Sequence, residues 1–341
     1  MKVGEVAASA PAHTDMPLSN RGLAPLAATF AAVVTLSTGA AAWANQSTPL
    51  SGAGVITIKS PEANVTVLVG NPGEVRIVGD DSVIVTHFAV SADADGHIVL
   101  PGLNPRPAAG ASPNGNANSS NATVVTGRPG LGQRSFTIPG LQDGSDGLNI
   151  VNPGTTEVTV YVPPQVAALF VGGGRGDVSV SDTRGGYVIV TGRGAINLQN
   201  VAGRGLVRSG MGPITLNGVG GAIGVETLHG VVTAREMAVA RADVFTQTGN
   251  VDWQFSSLGR GGYRFNSRRG DIRVGLAPDA AANVDAQSET GDVFNTFGRP
   301  DSDIHFLNRH ALSMALNGGG PEINVSSGFG RVTISPHRPF R

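Results

Sequence analysis

Residues 194–198 read Gly-Ala-Ile-Asn-Leu, and residues 212–216 read Gly-Pro-Ile-Thr-Leu. In both stretches a glycine stands two residues before one apolar position and four residues before another. Six other glycines precede apolar residues at this spacing, although Gly291 does so only at the first position. The full set is Gly176, Gly194, Gly212, Gly230, Gly249, Gly270, Gly291 and Gly330. The first seven are 18, 18, 18, 19, 21 and 21 residues apart, which indicates an internal structural repeat.

Each repeat also contains a second apolar pair ahead of the glycine, such as Tyr187 and Ile189. Alternation of apolar and polar residues is typical of a half-buried strand. Two short strands in a period of about 20 residues predict a solenoid whose coils stack on one another. We therefore expect an all-β, single-chain, parallel, β-helix-like solenoid with 18 to 21 residues per coil. The general preference for right-handed crossovers predicts a right-handed coil.

The repeat also predicts the environment of individual residues. Equivalent positions of stacked coils form ladders, and we expect one buried ladder of Ile196, Ile214, Val232, Val251 and Ile272. The repeated glycines are expected at sharp corners that need a positive φ angle or the absence of a side chain. Residues 233–243 are rich in helix formers, but Ala234, Met237 and Val244 fall at inward positions of the repeat, so we predict strand there.

Composition narrows the range of functions. The 341 residues include 49 Gly and 21 Pro but only 14% charged residues, a profile that favours turns and strands. The net charge of −1 gives no overall attraction to nucleic acid or to membranes. The absence of cysteine excludes disulfides, thiolate metal sites and cysteine nucleophiles.

Residues 1–44 are predicted to be a leader or signal peptide. The apolar run from Leu23 to Ala42 ends in Ala-Trp-Ala before Asn45, and Met16 is a possible true start. The alternative is an uncleaved membrane anchor, which would be the only membrane contact, because about 20 apolar residues can span a bilayer. Both interpretations place the rest of the chain outside the cytoplasm, in the periplasm, on the cell surface or in the medium.

The remainder divides by composition into three regions. Residues 45–103 alternate apolar and polar positions and are predicted to form an amino-terminal β region of the solenoid. Residues 104–134 are dominated by Pro, Gly, Ala, Asn and Ser and are predicted to be a mobile, low-complexity insertion. Residues 135–341 contain the repeats and are predicted to form the solenoid proper.

The tripeptide Arg-Gly-Asp occurs at residues 175–177 and again at residues 269–271. An attachment tripeptide needs a protruding loop, whereas strands are predicted to begin at Val178 and Ile272, directly after each tripeptide. Both glycines belong to the repeat. We therefore interpret the tripeptides as corners and expect Asp177 and Asp271 to be solvated carboxylates.

No residue pattern predicts a catalytic, metal or cofactor site. The histidines lack metal-ligand spacing, and no helix follows the Gly-x-Gly corners to receive a phosphate. Asp252, Asp271 and Asp292 could stack into the acidic site of a polysaccharide lyase, although solvated polar faces explain them more simply. One candidate patch for an anionic glycan or phosphate consists of Arg260, Arg264, Arg268, Arg269 and Arg273.

This patch has a simpler interpretation as a soluble, edge-protecting face. Tyr263 and Phe265 are expected to point inward, and Arg264 and Arg273 outward, so stacking on nucleic acid bases is not expected.

The order of several motifs points to a known family. These are the Ser/Thr-x-x-Gly-Asp-Val/Ile turns, the Val-Thr-Val-Tyr-Val-Pro-Pro stretch at 158–164, Leu-Ala-Pro-Asp-Ala at 276–280 and Gly-Gly-Gly-Pro-Glu-Ile at 318–323. Together they resemble the bacterial putative-adhesin β-solenoid family over most of residues 52–334. The resemblance implies an exported or envelope-associated solenoid without a catalytic residue set.

We therefore expect a non-enzymatic scaffold or adhesive surface of the bacterial cell envelope, with an envelope protein or glycan as partner. A carbohydrate-active, lyase-like solenoid enzyme is the alternative, and a stacked acidic trio beside a groove would favour it.

Overall fold

The computed structural model of the protein describes residues 44–50, 54–80, 82–92, 98–99, 121–128, 132–139, 145–297 and 304–337. These residues form strands and turns without any helix, so the all-β prediction is confirmed. It follows that no helix of the described ranges is long and apolar enough to cross a bilayer. The strands are β1 (Ala44–Pro49), β2 (Val55–Ser60), β3 (Val65–Val69), β4 (Glu74–Gly79), β5 (Ile84–Ala89), β6 (Ser91–Ala92), β7 (Ile98–Val99), β8 (Asn121–Arg128), β9 (Gly132–Pro139), β10 (Asp146–Val151), β11 (Val158–Val162), β12 (Gln165–Gly173), β13 (Val178–Ser181), β14 (Arg184–Thr191), β15 (Ile196–Gln199), β16 (Ala202–Ser209), β17 (Ile214–Asn217), β18 (Gly220–His229), β19 (Val232–Thr248), β20 (Val251–Phe255), β21 (Tyr263–Arg269), β22 (Ile272–Leu276), β23 (Ala282–Ser288), β24 (Val293–Asn295), β25 (Ile304–Asn308), β26 (Ala311–Leu316), β27 (Glu322–Phe329) and β28 (Val332–Pro336).

Two regions predicted from composition fall largely outside these ranges. The leader, residues 1–44, lies outside the described residues except for Ala44. Within the predicted insertion, residues 104–120 and 129–131 are also outside them. Strands β8 and β9 overlap its second half and pair as an antiparallel hairpin.

Most strands belong to two facing sheets that share the long strand β19. The order in sheet A is β1, β4, β11, β3, β13, β15, β17, β19, β20, β22, β28 and β24. The order in sheet B is β5, β10, β2, β12, β14, β16, β18, β19, β21, β27, β23, β26 and β25. Neighbours are parallel except at the ends, where β1, β4, β5, β25 and β26 pair antiparallel.

One repeat illustrates how the sequence forms a coil. Strand β14 runs through sheet B, the chain turns at Gly194, and β15 follows in sheet A. A second turn at Asn200, whose φ angle is +53°, returns the chain to sheet B as β16, in which Gly203 has a φ angle of +141°. Equivalent strands of successive repeats then lie side by side, and each backbone hydrogen-bonds to the coils on both sides.

The predicted inward ladder is confirmed. Parallel pairing joins Ile196 to Ile214, and then to Val232, Val251 and Ile272, each at most 1% exposed. The second apolar pair of each repeat faces the same core from sheet B. Burying an aliphatic side chain in this way stabilises the fold by roughly 1.5 to 3 kcal/mol. The helix-favouring stretch lies within the 17 residues of β19, so the strand prediction is also confirmed.

The coils do not stack in chain order at either end. Strand β27 lies between β21 and β23, and β28 lies between β22 and β24, so the last coil is inserted between two earlier ones. The expected series, in which Gly291 follows Gly270 and Gly330 comes last, is corrected to the order Gly270, Gly330, Gly291. The reason is that β26 occupies the outer edge of β23 and leaves only its inner edge for β27. At the amino end, β2 likewise lies between β10 and β12.

The repeated glycines stack on one another along one corner of the coil. A Cβ atom on Gly194 would lie 1.9 Å from the carbonyl oxygen of Gly176, and one on Gly212 would lie 2.0 Å from that of Gly194. Among the eight glycines, Gly249 and Gly270 have positive φ angles, of +149° and +153°. The other six positions require a residue without a side chain, because backbone atoms of a neighbouring coil occupy the space that a Cβ atom would fill.

Buried hydroxyl groups support this corner from inside. Thr191 donates a hydrogen bond of 2.9 Å from Oγ1 to the carbonyl oxygen of Gly194, and Ser209 Oγ accepts one of 2.9 Å from the backbone N–H of Gly212. Each hydroxyl lies three residues before a glycine of the corner. The buried set is Thr191, Ser209, Thr227, Thr246, Ser267, Ser288 and Ser327.

The residue after the glycine links neighbouring coils through its side chain. Asp177 Oδ1 accepts a hydrogen bond of 2.7 Å from the backbone N–H of Ala195, and Asp271 Oδ1 accepts one of 2.8 Å from that of Arg331. The expectation that these two carboxylates are merely solvated is therefore wrong. A short acidic or amide side chain at this position reaches the next backbone, about 4.8 Å away, and satisfies its N–H group.

Candidate functional site

The outer face of sheet B has two halves of different character. From β12 to β16 it is apolar and buried, with Phe170, Val188 and Leu206 each at most 3% exposed. Strand β9 lies against β12 on this half. Farther along, Arg208 Nε and Glu226 Oε2 form a buried ion pair of 2.8 Å. From β21 to β26 the outer face is instead polar and open to solvent.

The open half forms a shallow trough of about 400 Å³. Asn324 and Ser326 of the inserted strand β27 form its floor, because β27 lies between β21 and β23 in the sheet. One wall is β21 and the other is formed by β23 and β26. The polar residues that line the walls are Arg264, Asn266, Asp285, Gln287 and Ser313.

Strand register aligns these side chains in two rows across the trough. In the first row Asn324 lies between Arg264 and Asp285, and Ser313 follows Asp285. In the second row Ser326 lies between Asn266 and Gln287. Gln287 Nε2 donates a hydrogen bond of 3.4 Å to Ser326 Oγ. Neighbouring rungs are about 4.8 Å apart, so donors and acceptors stand at regular intervals.

A cluster of aromatic rings lies beneath this face, in the core. The ring centroids of Phe255 and Tyr263 are 4.9 Å apart, and those of Trp253 and Phe265 are 5.4 Å apart, both in edge-to-face geometry. Tyr263 donates a hydrogen bond of 2.8 Å to the carbonyl oxygen of Val239, and burial raises the pKa of its hydroxyl. The predicted inward direction of Tyr263 and Phe265 is confirmed. The trough is therefore supported by closely packed rings.

The five arginines proposed from the sequence do not share one face. Arg264 faces outward from β21 in sheet B, whereas Arg273 faces outward from β22 in sheet A, as predicted for each. Arg260 lies in the loop before β21. Arg268 and Arg269 end β21, beside the glycine corner. Only Arg264 lines the trough.

The inserted coil brings two phenylalanines to these arginines. The guanidinium carbon of Arg269 lies 5.8 Å from the ring centroid of Phe329, and that of Arg331 lies 5.0 Å from the ring centroid of Phe294. The rings are 58% exposed for Phe329 and 42% exposed for Phe294. We call this surface, which consists of Arg268, Arg269, Arg273, Arg331, Phe294 and Phe329, the Arg–Phe corner.

Sequence reasoning missed three members of this corner: Phe294, Phe329 and Arg331. The glycine spacing predicts the position of each of these residues within its repeat. It does not predict which residues of neighbouring coils lie beside them. The only sequence sign was the long interval between Gly291 and Gly330, which the structure explains by strands β25 and β26.

The acidic trio considered for lyase chemistry is not assembled. Asp252 lies beside Arg273 of the neighbouring coil. The coil that contains Arg331 lies between the coil of Asp271 and the coil of Asp292. Within the described ranges no group of three or more potential ligands could hold a metal ion. The chemistry that the trough offers is hydrogen bonding through amides, hydroxyls, one carboxylate and one guanidinium.

Comparison with known proteins places the chain in a family. No curated protein matches it. Among solved structures, the chain is similar to a putative cell adhesion protein from Clostridium sporogenes, with 7% sequence identity and a TM-score of 0.20, covering 86% of this chain and 99% of that chain. A TM-score this low carries no information about function. The family model described as Toastrack DUF4097 matches residues 118–330, more than half of the chain. The protein therefore belongs to the Toastrack DUF4097 family.

Proposed function

We propose that this protein is an exported, non-enzymatic, adhesin-like or scaffold protein of the bacterial cell envelope that binds a glycan in its trough. In this proposal the fold is a right-handed parallel solenoid with 18 to 21 residues per coil. The observation that carries the proposal is the open trough along β27, in which polar side chains from four neighbouring strands are aligned by strand register.

The composition of the trough favours a sugar over an apolar ligand. Asn266, Gln287 and Asn324 each offer both a donor and an acceptor, which suits hydroxyl groups that do the same. The trough is shallow and follows an extended strand, so it fits a polymer better than a small compact molecule, which proteins usually hold in a deeper pocket. The aromatic rings in the core hold the strands in place, so little ordering is needed on binding.

Binding of the purified protein to an array of bacterial envelope polysaccharides tests this proposal. Asn324→Ala removes a donor and an acceptor from the floor of the trough, and we expect roughly a fivefold loss of affinity for any polysaccharide that binds there. Asn197→Ala is the matched control, because Asn197 is also an exposed outward asparagine, on β15 of sheet A. Equal loss in both variants, or no binding at all, would contradict the proposal.

The same preparations test the enzymatic alternative. Bound polysaccharides should keep their length and gain no new chain ends during prolonged incubation with the protein. If the protein released shortened polysaccharide chains, and if this release depended on Asp285, the trough would be a catalytic site and not only a binding site.

Export requires a separate test. The Ala-Trp-Ala sequence before Asn45 supports cleavage at that point, so sequencing of the mature protein should begin at Asn45. A mature chain that retains residues 23–42 would show a membrane anchor instead.

A further inference from the structure

We infer that the Arg–Phe corner is a second binding site, for an acidic polysaccharide whose charged groups are carboxylates spaced along a sugar chain. The trough belongs to the outer face of sheet B, whereas this corner lies where the chain passes from sheet B to sheet A. The inference adds a ligand class to the proposed envelope role, but it does not depend on what the trough binds.

The first argument is uncompensated charge. Arg268, Arg269, Arg273 and Arg331 form no ion pair with any residue in the described ranges, although arginines elsewhere do, such as Arg309 with Asp292 at 3.9 Å. Four guanidinium groups without an ion-pair partner in these ranges therefore lie on two neighbouring coils of a protein whose net charge is −1. A guanidinium group offers two parallel donors that match a carboxylate, so this cluster favours an anionic ligand.

The second argument is the exposure of two aromatic rings. Phe294 and Phe329 are among the few large apolar side chains that the described surface exposes. Each has a guanidinium group on one side, and this contact holds ring and cation in a fixed relation. An apolar face next to a cation suits a ligand that has apolar C–H surface next to an anion. A sugar acid has both, whereas inorganic phosphate has only the charge.

The third argument distinguishes a polysaccharide from a nucleic acid. Carboxylates are interspersed among the cations of this surface, with Asp271 beside Arg331 and Asp292 beyond it. Duplex DNA carries one negative charge per about 1.7 Å of its axis, so some phosphates would face these carboxylates. A polymer with a single carboxylate on each sugar has charges far enough apart to meet only the arginines.

The decisive experiment measures binding of the purified protein to polygalacturonate, with neutral dextran and duplex DNA as comparison probes. We expect binding to polygalacturonate that weakens as salt concentration rises, and none to dextran. Arg269→Ala and Phe329→Ala should each weaken this binding, the former by roughly tenfold. Both side chains are exposed, so thermal unfolding of the two variants should match that of the parent.

Matched controls exist at the equivalent position of other coils. Arg193 and Met211 also stand immediately before a corner glycine and are exposed, so Arg193→Ala and Met211→Ala remove a similar cation and a similar apolar group outside the Arg–Phe corner. Both should leave binding unchanged.

Three outcomes would overturn the inference: no binding to polygalacturonate, equal binding to duplex DNA, or losses in the controls as large as those in Arg269→Ala. Asn324→Ala separates the two proposals, because it should weaken binding in the trough and leave polygalacturonate binding intact.

Discussion

Asp271 and Arg331 are 60 residues apart in the chain, yet Asp271 Oδ1 accepts a 2.8 Å hydrogen bond from the backbone N–H of Arg331. The same bond joins Asp177 to Ala195, which is only 18 residues further along. Both aspartates end an Arg-Gly-Asp tripeptide. Their carboxylates act as links between stacked coils, and this accounts for the two tripeptides without an attachment function.

This role predicts how substitutions of Asp271 rank. Asn64 and Asn250 make the same bond through their amide oxygens, so Asp271→Asn should unfold like the parent. Asp271→Glu places the carboxylate one methylene farther out, and we expect it to lower the free energy of unfolding by about 1 kcal/mol, the usual contribution of one hydrogen bond. Thermal unfolding of both variants measures the difference.

A cell-adhesion assay on the same two variants separates structure from attachment. An Arg-Gly-Asp ligand depends on its carboxylate, so Asp271→Asn would weaken any adhesion through residues 269–271 while leaving the fold intact. If that variant lost adhesion with an unchanged melting curve, the purely structural interpretation of the tripeptide would fail.

Much of the fold was predictable because each repeat is defined by the short sequence distances between its corner glycine and its apolar residues. The inward ladder, the strand over residues 233–243 and the outward direction of Arg264 and Arg273 all follow from position relative to a corner glycine. The order of the coils was not predictable, because it depends on which strand edge remains open after β26 has paired with β23. The trough and the Arg–Phe corner both depend on that order, so their residues could be placed on strands but not brought together.

The stacked glycines give a second prediction. Gly194→Ala would place its Cβ 1.9 Å from the carbonyl oxygen of Gly176, and neighbouring backbone must shift to accept it. We expect a loss of roughly 1 to 3 kcal/mol in the free energy of unfolding. Gly262→Ala is the control, since no atom lies within 4 Å of its added Cβ, and it should be neutral or slightly stabilising. A melting temperature for Gly194→Ala equal to that of Gly262→Ala would show that the coils are not this closely stacked.

A third prediction concerns the second corner of the coil, where the chain adopts left-handed backbone conformations. Asp182, Asn200 and Gly218 occupy this corner with φ angles of +59°, +53° and +63°, and Glu236 occupies it with φ +51°. Asparagine tolerates this conformation better than glutamate. Glu236→Asn should therefore raise the free energy of unfolding by about 0.5 to 1 kcal/mol, as measured by chemical denaturation.

The neighbour of Glu236 bears on the interpretation of that measurement. Glu236 Oε1 lies 3.7 Å from His337 Nε2, so Glu236→Asn removes this contact together with the backbone strain. The reciprocal change, Asn200→Glu, should destabilise the protein. A lower stability for Glu236→Asn would mean that contacts of the glutamate outweigh its backbone strain.

The inserted coil gives the last prediction. A chain ending at Gly320 lacks β27 and β28, so β21 and β22 lose their neighbours on one side, and β23 and β24 lose their parallel partners. In a repeat protein each coil is stabilised mainly by its nearest neighbours. We therefore expect backbone amides of β21 to β24 to lose protection from hydrogen exchange, while those of β14 to β17 keep it. A chain ending at His337 is the control and should behave like the parent.

Sequential stacking predicts the opposite result, because β23 would then pair directly with β21 without the last coil. Full protection of β23 in the chain ending at Gly320 would thus contradict the inserted order and, with it, the assembly of the trough.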